Sequence, residues 1–167
     1  MNDDAKKLSK LIKGIKIAML TTVDTDGTLR SRPMATQEQD FDGQVLWFAT
    51  DANSHKVEEI RADSHVNVSY ADPDDSRYVS VSGRAELVKD RAKVKDLWGP
   101  GLKAWYPDGP DDPNIMLLRV DVEKAEYWDT PSNKLVQLVG FTKAILAGER
   151  YDPGENKKVD FGGHGTA

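Results

Sequence analysis

The sequence predicts a mainly β fold with a few short helices, built on about six antiparallel strands. Three observations carry this. Short runs rich in Val, Ile, Thr and aromatic residues recur along the chain. Tight-turn signals separate several of them, at Asp24-Thr25-Asp26-Gly27, Asp42-Gly43 and Asp72-Pro73-Asp74-Asp75. No repeat or linker divides the 167 residues, a length that suits one domain. Tight turns join antiparallel neighbours, and a sheet of this size closes into a small barrel or folds into a sandwich.

Residues 3–14 read as a helix, because Leu8, Leu11, Ile12 and Ile15 share one face and Gly14 fits its end. Residues 16–23, 28–39 and 44–50 follow as strands, with Pro33 marking an edge or a bulge in the second. A short helix comes next within residues 51–63, capped by Asn53 or Ser54. Residues 65–71 and 77–88 are strands, and Gly83 gives the second a place to bend. Residues 90–98 read as a helix, and residues 99–114, with four prolines, as a long loop. The last strands are 114–122 and 124–129, and an amphipathic helix over 134–147 runs through Leu135, Leu138, Val139, Thr142, Ile145 and Leu146. The remainder is turn-rich, with a flexible tail over 161–167.

Composition narrows the function. With no cysteine there is no disulfide and no thiolate chemistry, and a reducing cytoplasm is the expected compartment. No apolar run approaches the ~20 residues of a membrane span, so no membrane partner is expected. A net charge of −5 speaks against nucleic acid as a partner, since that affinity comes mainly from neutralising phosphates. The three histidines lack metal-ligand spacing, so no metal is expected.

Three groups of residues remain for chemistry. The first is Trp47-Phe48-Ala49-Thr50-Asp51-Ala52-Asn53-Ser54-His55-Lys56, a strand whose polar turn opens a helix. A helix N-terminus offers free N–H groups to an anion; Ser54 adds a hydroxyl and Lys56 a cation, with Asp51 expected to face away. A plain capped helix would explain the same residues. The second is Arg30-Ser31-Arg32-Pro33-Met34, where alternation puts both guanidiniums on one face and so calls for an anion or a carboxylate there. Surface ion pairs are the simpler account of that pair. The third is the aromatic set Trp47, Trp98, Trp105, Tyr106, Tyr127 and Trp128, suited to a flat heterocycle or to the core.

Taken in order, DTDGTLRSRPM, LWFATDANSHK, SVSGRAELV, EYWD and the tail YDPGENKKVDF resemble the pyridoxamine 5′-phosphate oxidase-like flavin-binding split barrels, in their general stress protein branch. The likeness covers about residues 8–160. It implies a six-stranded antiparallel split β-barrel with short flanking helices. It also implies a single domain over 1–167 that forms a homodimer holding FMN, with FAD as the alternative, between subunits. By position, Arg32, followed by Pro33 and Met34, matches the strand that contacts flavin phosphate or ribityl. Trp47, Phe48, Ala49 and Thr50 match the strand end beside the isoalloxazine, and Ser54, His55 and Lys56 match the phosphate turn. Trp98, Trp105 and Trp128 match the region that reaches across the dimer. His55 stands where the oxidase pattern has arginine, and TPSNKL after Trp128 lacks the arginine–histidine pattern that grips pyridoxal phosphate, so pyridoxamine phosphate oxidation is not expected. The implied function is flavin binding of general-stress type, with a flavin-dependent oxidoreductase as the enzymatic form. The alternatives are a flavin reservoir or redox sensor, or a deazaflavin- or haem-binding relative.

Overall fold

A computed structural model describes residues 3–37, 41, 43–131, 134–152 and 154–162. Its strands are β1 (Ile17–Val23), β2 (Leu29–Ala35), β3 (Val45–Asp51), β4 (His65–Asp72), β5 (Arg77–Val88), β6 (Ile115–Asp129) and β7 (Glu155–Asp160). Its helices are α1 (Asp3–Ile12), α2 (His55–Ala62), α3 (Arg91–Asp96), α4 (Pro100–Trp105) and α5 (Lys134–Ala147). Six strands follow the antiparallel order β2-β1-β4-β5-β6-β3, and β7 adds a seventh by pairing with β6. This is the split-barrel β+α architecture that the sequence predicts, with one strand more.

Alternation decides what faces inward. Along β1, Ala18, Leu20 and Thr22 are buried, and along β4, Val66, Val68 and Tyr70 are. All of these but Thr22 join Leu8, Leu11 and Ile12 of α1 in the main core. A second cluster of Val94, Leu97, Leu102, Ile115 and Leu117 lies where α3 and α4 cover the other face of β3 and β6. That cover is why the first half of β6, IMLL, is apolar at every position rather than at alternate ones.

Among the described residues the edge strands β2 and β3 approach each other without a ladder, and Gln37 N–H, just beyond β2, donates to the Trp47 C=O of β3 at 3.3 Å. This opening is the split. Between β5 and β6 the register shifts at Ser82/Gly83. A Cβ on Gly83 would sit 2.1 Å from the Asp121 carbonyl oxygen, so only glycine admits this approach. Gly83→Ala is expected to cost roughly 1–3 kcal/mol, read as a lower urea midpoint at unchanged slope. An unchanged midpoint would show that the two strands can move apart freely.

The structure corrects four expectations. Residues 114–122 and 124–129 are one strand, β6, because β5 pairs along both halves while β3 and β7 take one half each. Within the 99–114 loop, Pro100 starts α4, where a missing N–H costs a helix nothing. The turn-rich tail holds β7, whose Val159 joins the core. Finally, α5 has the predicted span, but its apolar residues Val136, Leu138, Val139, Phe141, Ile145 and Leu146 are exposed, while Gln137, Gly140 and Ala144 lie on its partly buried side. Of the expected flexible tail, residues 163–167 lie outside the described residues, and Phe161 packs against the core.

Candidate functional site

The split is where the predicted polar residues gather. Arg32 points inward from β2, and Thr50, at the end of β3, is buried on the inward side. The chain then turns through Asp51–Ser54 into α2. Asp51 is exposed, and its carboxylate accepts the Asn53 N–H at 2.8 Å, so it faces away as expected. Ser54 is the N-cap, yet its hydroxyl makes no capping bond; it lies 3.1 Å from the Thr50 hydroxyl. Lys56 Nζ donates to Thr50 Oγ1 at 2.8 Å. Among the described residues no carboxylate lies within ion-pair distance of Lys56. Burial and the neighbouring Arg32 charge hold the Lys56 ammonium below its ordinary range, against a weaker upward pull from Asp51 and Glu59. A half-buried ammonium beside a guanidinium and two hydroxyls is a cradle for an anion.

Two residues that the sequence did not single out anchor this cradle. Arg32 donates through Nη1 to the Thr22 hydroxyl and through Nη2 to Glu59 Oε2 at 2.7 Å, and Thr22 donates to the same carboxylate. Glu59 is only 1% exposed, an unusual burial for a carboxylate. Burial pushes its acidity down; the bonds from Thr22 and Arg32 and the nearby positive charges outweigh this and hold the carboxyl below its usual range. The signals were present: Glu59 shares the α2 stripe of Lys56 and Ile60, and Thr22 takes an inward turn after Ala18 and Leu20.

His55 lies beside this network. Its Nε2 is 3.4 Å from Glu59 Oε1 and 3.6 Å from Asp24 Oδ2, and Arg30 reaches the same two carboxylates. Asp24, His55 and Glu59 bring ligand atoms within 4.8 Å of one another, but Arg30 and Arg32 already balance their charge.

The other predicted residues divide between core and surface. Met34 and Phe48 are core side chains, so only their backbone is available to a ligand. Trp47, Ala49 and Trp98 pack against the second cluster, and Lys93 Nζ sits 4.9 Å above the Trp47 ring. Pro33 is exposed on the outer face of β2. Trp105 stands 77% exposed at the end of α4, and Trp128 is partly exposed opposite Tyr78.

The family pattern described as "Pyridoxamine 5'-phosphate oxidase like" matches residues 3–152. The chain belongs to the pyridoxamine 5′-phosphate oxidase-like family. Among its curated relatives is protein bli-3 of Neurospora crassa, 32% identical over 151 residues, which cover 85% of this chain and 72% of that protein. General stress protein 26 of Bacillus anthracis str. Sterne has a similar structure, with a TM-score of 0.65, 30% identity, and coverage of 74% of this chain and 92% of that one. The general stress FMN/FAD binding protein of Xanthomonas citri is likewise similar, with a TM-score of 0.66, 30% identity, and coverage of 77% and 90%. In this pyridoxamine phosphate oxidase-like chain, Arg32 of β2 and Thr50, Ser54 and Lys56 at the end of β3 and the start of α2 lie at the opening between β2 and β3.

Proposed function

We propose that the chain binds FMN as a homodimer, with FAD as the alternative, and places the flavin phosphate in the cradle of Arg32, Thr50, Ser54 and Lys56. The observation that carries this is the half-buried Lys56 ammonium, which has neutral hydroxyls and a second cation for neighbours. A phosphate dianion satisfies both cations and both hydroxyls at once. Likeness to an FMN/FAD binding protein of known structure supports the same cofactor. When bound, the isoalloxazine would supply hydride or electron chemistry. The chain's own residues grip the phosphate, fix the Arg32 guanidinium through Glu59 and Thr22, and flank the ring with the end of β3. Trp128 reaches the flavin bound by the second copy.

Tryptophan emission tests this placement. FMN titration is expected to quench it, and Trp128→Ala to remove much of that quenching while leaving FMN bound. Binding without quenching would remove Trp128 from the site. The absorption spectrum of the purified protein separates flavin from deazaflavin and haem.

A further inference from the structure

Both ring nitrogens of His55, the first residue of α2, face carboxylates. Nδ1 lies 3.5 Å from Glu58 Oε2, and Nε2 lies 3.4 Å from Glu59 Oε1 and 3.6 Å from Asp24 Oδ2. The two oxygens of Glu59 are not served alike. Oε2 accepts from Arg32 and from Thr22. Oε1 is buried and, among the described residues, has no hydrogen-bond partner. The donors that face it are His55 Nε2 and, at 3.7 Å, Arg30 Nε. A buried acceptor left without a bond is costly, so this oxygen is ready to receive one. A neutral imidazole donates from one nitrogen only, whereas an imidazolium donates from both.

Charge points the same way. The groups around the ring are Asp24 from the β1–β2 turn, Arg30 from β2, and Glu58 and Glu59 from α2, with Arg32 on the far oxygen of Glu59. Without a ligand, Arg30 and Arg32 balance Asp24 and Glu59, and Glu58 is exposed to water. A phosphate in the cradle changes that balance. It brings a charge of about −2 at neutral pH, and Arg32 then has two anions to serve with one charge. Glu59 is too deeply buried to turn to water instead. Of the groups around it, only the imidazole can gain positive charge near neutral pH.

We propose that His55 is a positioning residue for the phosphate: it takes up a proton as the phosphate binds, donates through Nε2 to Glu59 Oε1, and so releases part of the Arg32 charge to the ligand. Phosphate recognition is thereby coupled to pH, and by reciprocity the proton favours the phosphate as much as the phosphate favours the proton. The inference rests on the phosphate placement proposed above, and the experiment separates the two. FMN and riboflavin are titrated calorimetrically into wild type and His55→Gln at about pH 6.5 and about pH 8. The glutamine keeps a donor but cannot charge, and the phosphate's own titration is common to both proteins. The gain in FMN affinity on acidification should be about two- to fivefold larger in wild type, the range for one partly exposed charge pair. Riboflavin, with no phosphate, should show no difference that depends on His55. One shared pH profile for FMN in the two proteins would overturn the inference, and so would the same His55-dependent change with riboflavin. FMN binding no tighter than riboflavin at either pH would overturn the phosphate placement itself, and the inference with it. The wild-type chain gives a second reading without any substitution. At about pH 7.5 a phosphate monoester has shed nearly all of its second proton, so FMN titration in two buffers of different ionisation enthalpy should show net proton uptake. Net release, or no exchange, would overturn the coupling.

Discussion

Riboflavin is expected to bind at least ~100-fold more weakly than FMN. The two share a ring system and differ by one phosphate, which the cradle addresses with Arg32, Lys56, Ser54 and the first N–H groups of α2. A hydrogen bond to a charged group contributes about 1.5–3 kcal/mol, and ~1.4 kcal/mol is tenfold in affinity, so two such bonds give that ratio. Lys56→Ala and Arg32→Ala should each weaken FMN by tenfold or more and leave riboflavin nearly unchanged. Raised salt should narrow the gap, because the cradle opens to solvent at the split and its charges are screened. Calorimetric titration of both ligands decides this. Equal affinities, unaltered by either substitution, would leave Ser54 a plain helix cap and Arg32 a structural ion pair.

Glu59→Ala is expected to destabilise the fold by about 3 kcal/mol. Removing one partner of a buried pair costs roughly 3–5 kcal/mol because the other charge loses its counter-ion. The lower end applies because Arg32 keeps 19% of its side chain exposed and can recruit water. The loss also depends on pH, with a definite sign. The folded state holds the Glu59 carboxyl below its usual range. Its contribution is therefore complete above the unfolded glutamate value of about 4.3 and is lost as pH falls through the lower folded value. Urea midpoints of wild type and Glu59→Gln should differ at neutral pH and converge in acid. A difference that stays constant down to about pH 3 would show that this carboxyl is not held ionised by its partners.

Much of the fold was legible because most of its strands announce themselves by local pattern. β5 spans 77–88 as expected, since RYVSVSGRAELV alternates clearly. β6 was read as two strands because Asp121, Glu123 and Lys124 look like a turn; partners on both sides carry the ladder through them. β7 was missed for a related reason. In ENKKVD only Val159 reaches the core, so an edge strand of mainly lysine and acid has no alternation to read. Chain order grouped Arg32, Ser54 and Lys56; Thr50, which the resemblance sets beside the ring, joins them through its bonds to Ser54 and Lys56 in the structure. Glu59 and Thr22 were not found, because their part in the site exists only once α2 closes over β1 and β2. The same closure sets the His55 ring against Asp24, whereas its approach to Glu59 follows from their i,i+4 spacing on α2.

The strand order has a consequence for how the molecule is assembled in time. The β1–β2 and β4–β5 hairpins join neighbours in sequence and need only short loops to close, whereas α3 and α4 lie between β5 and β6. The β1–β4 and β3–β6 seams join distant segments, and the entropy of closing those loops is lost before their contacts form. Of the strand pairings, the β3–β6 seam, which brings β3 to face β2, joins the segments farthest apart in sequence. The cradle lies across that gap, so it belongs to the last-formed part of the barrel and exists only in a chain that has completed its fold.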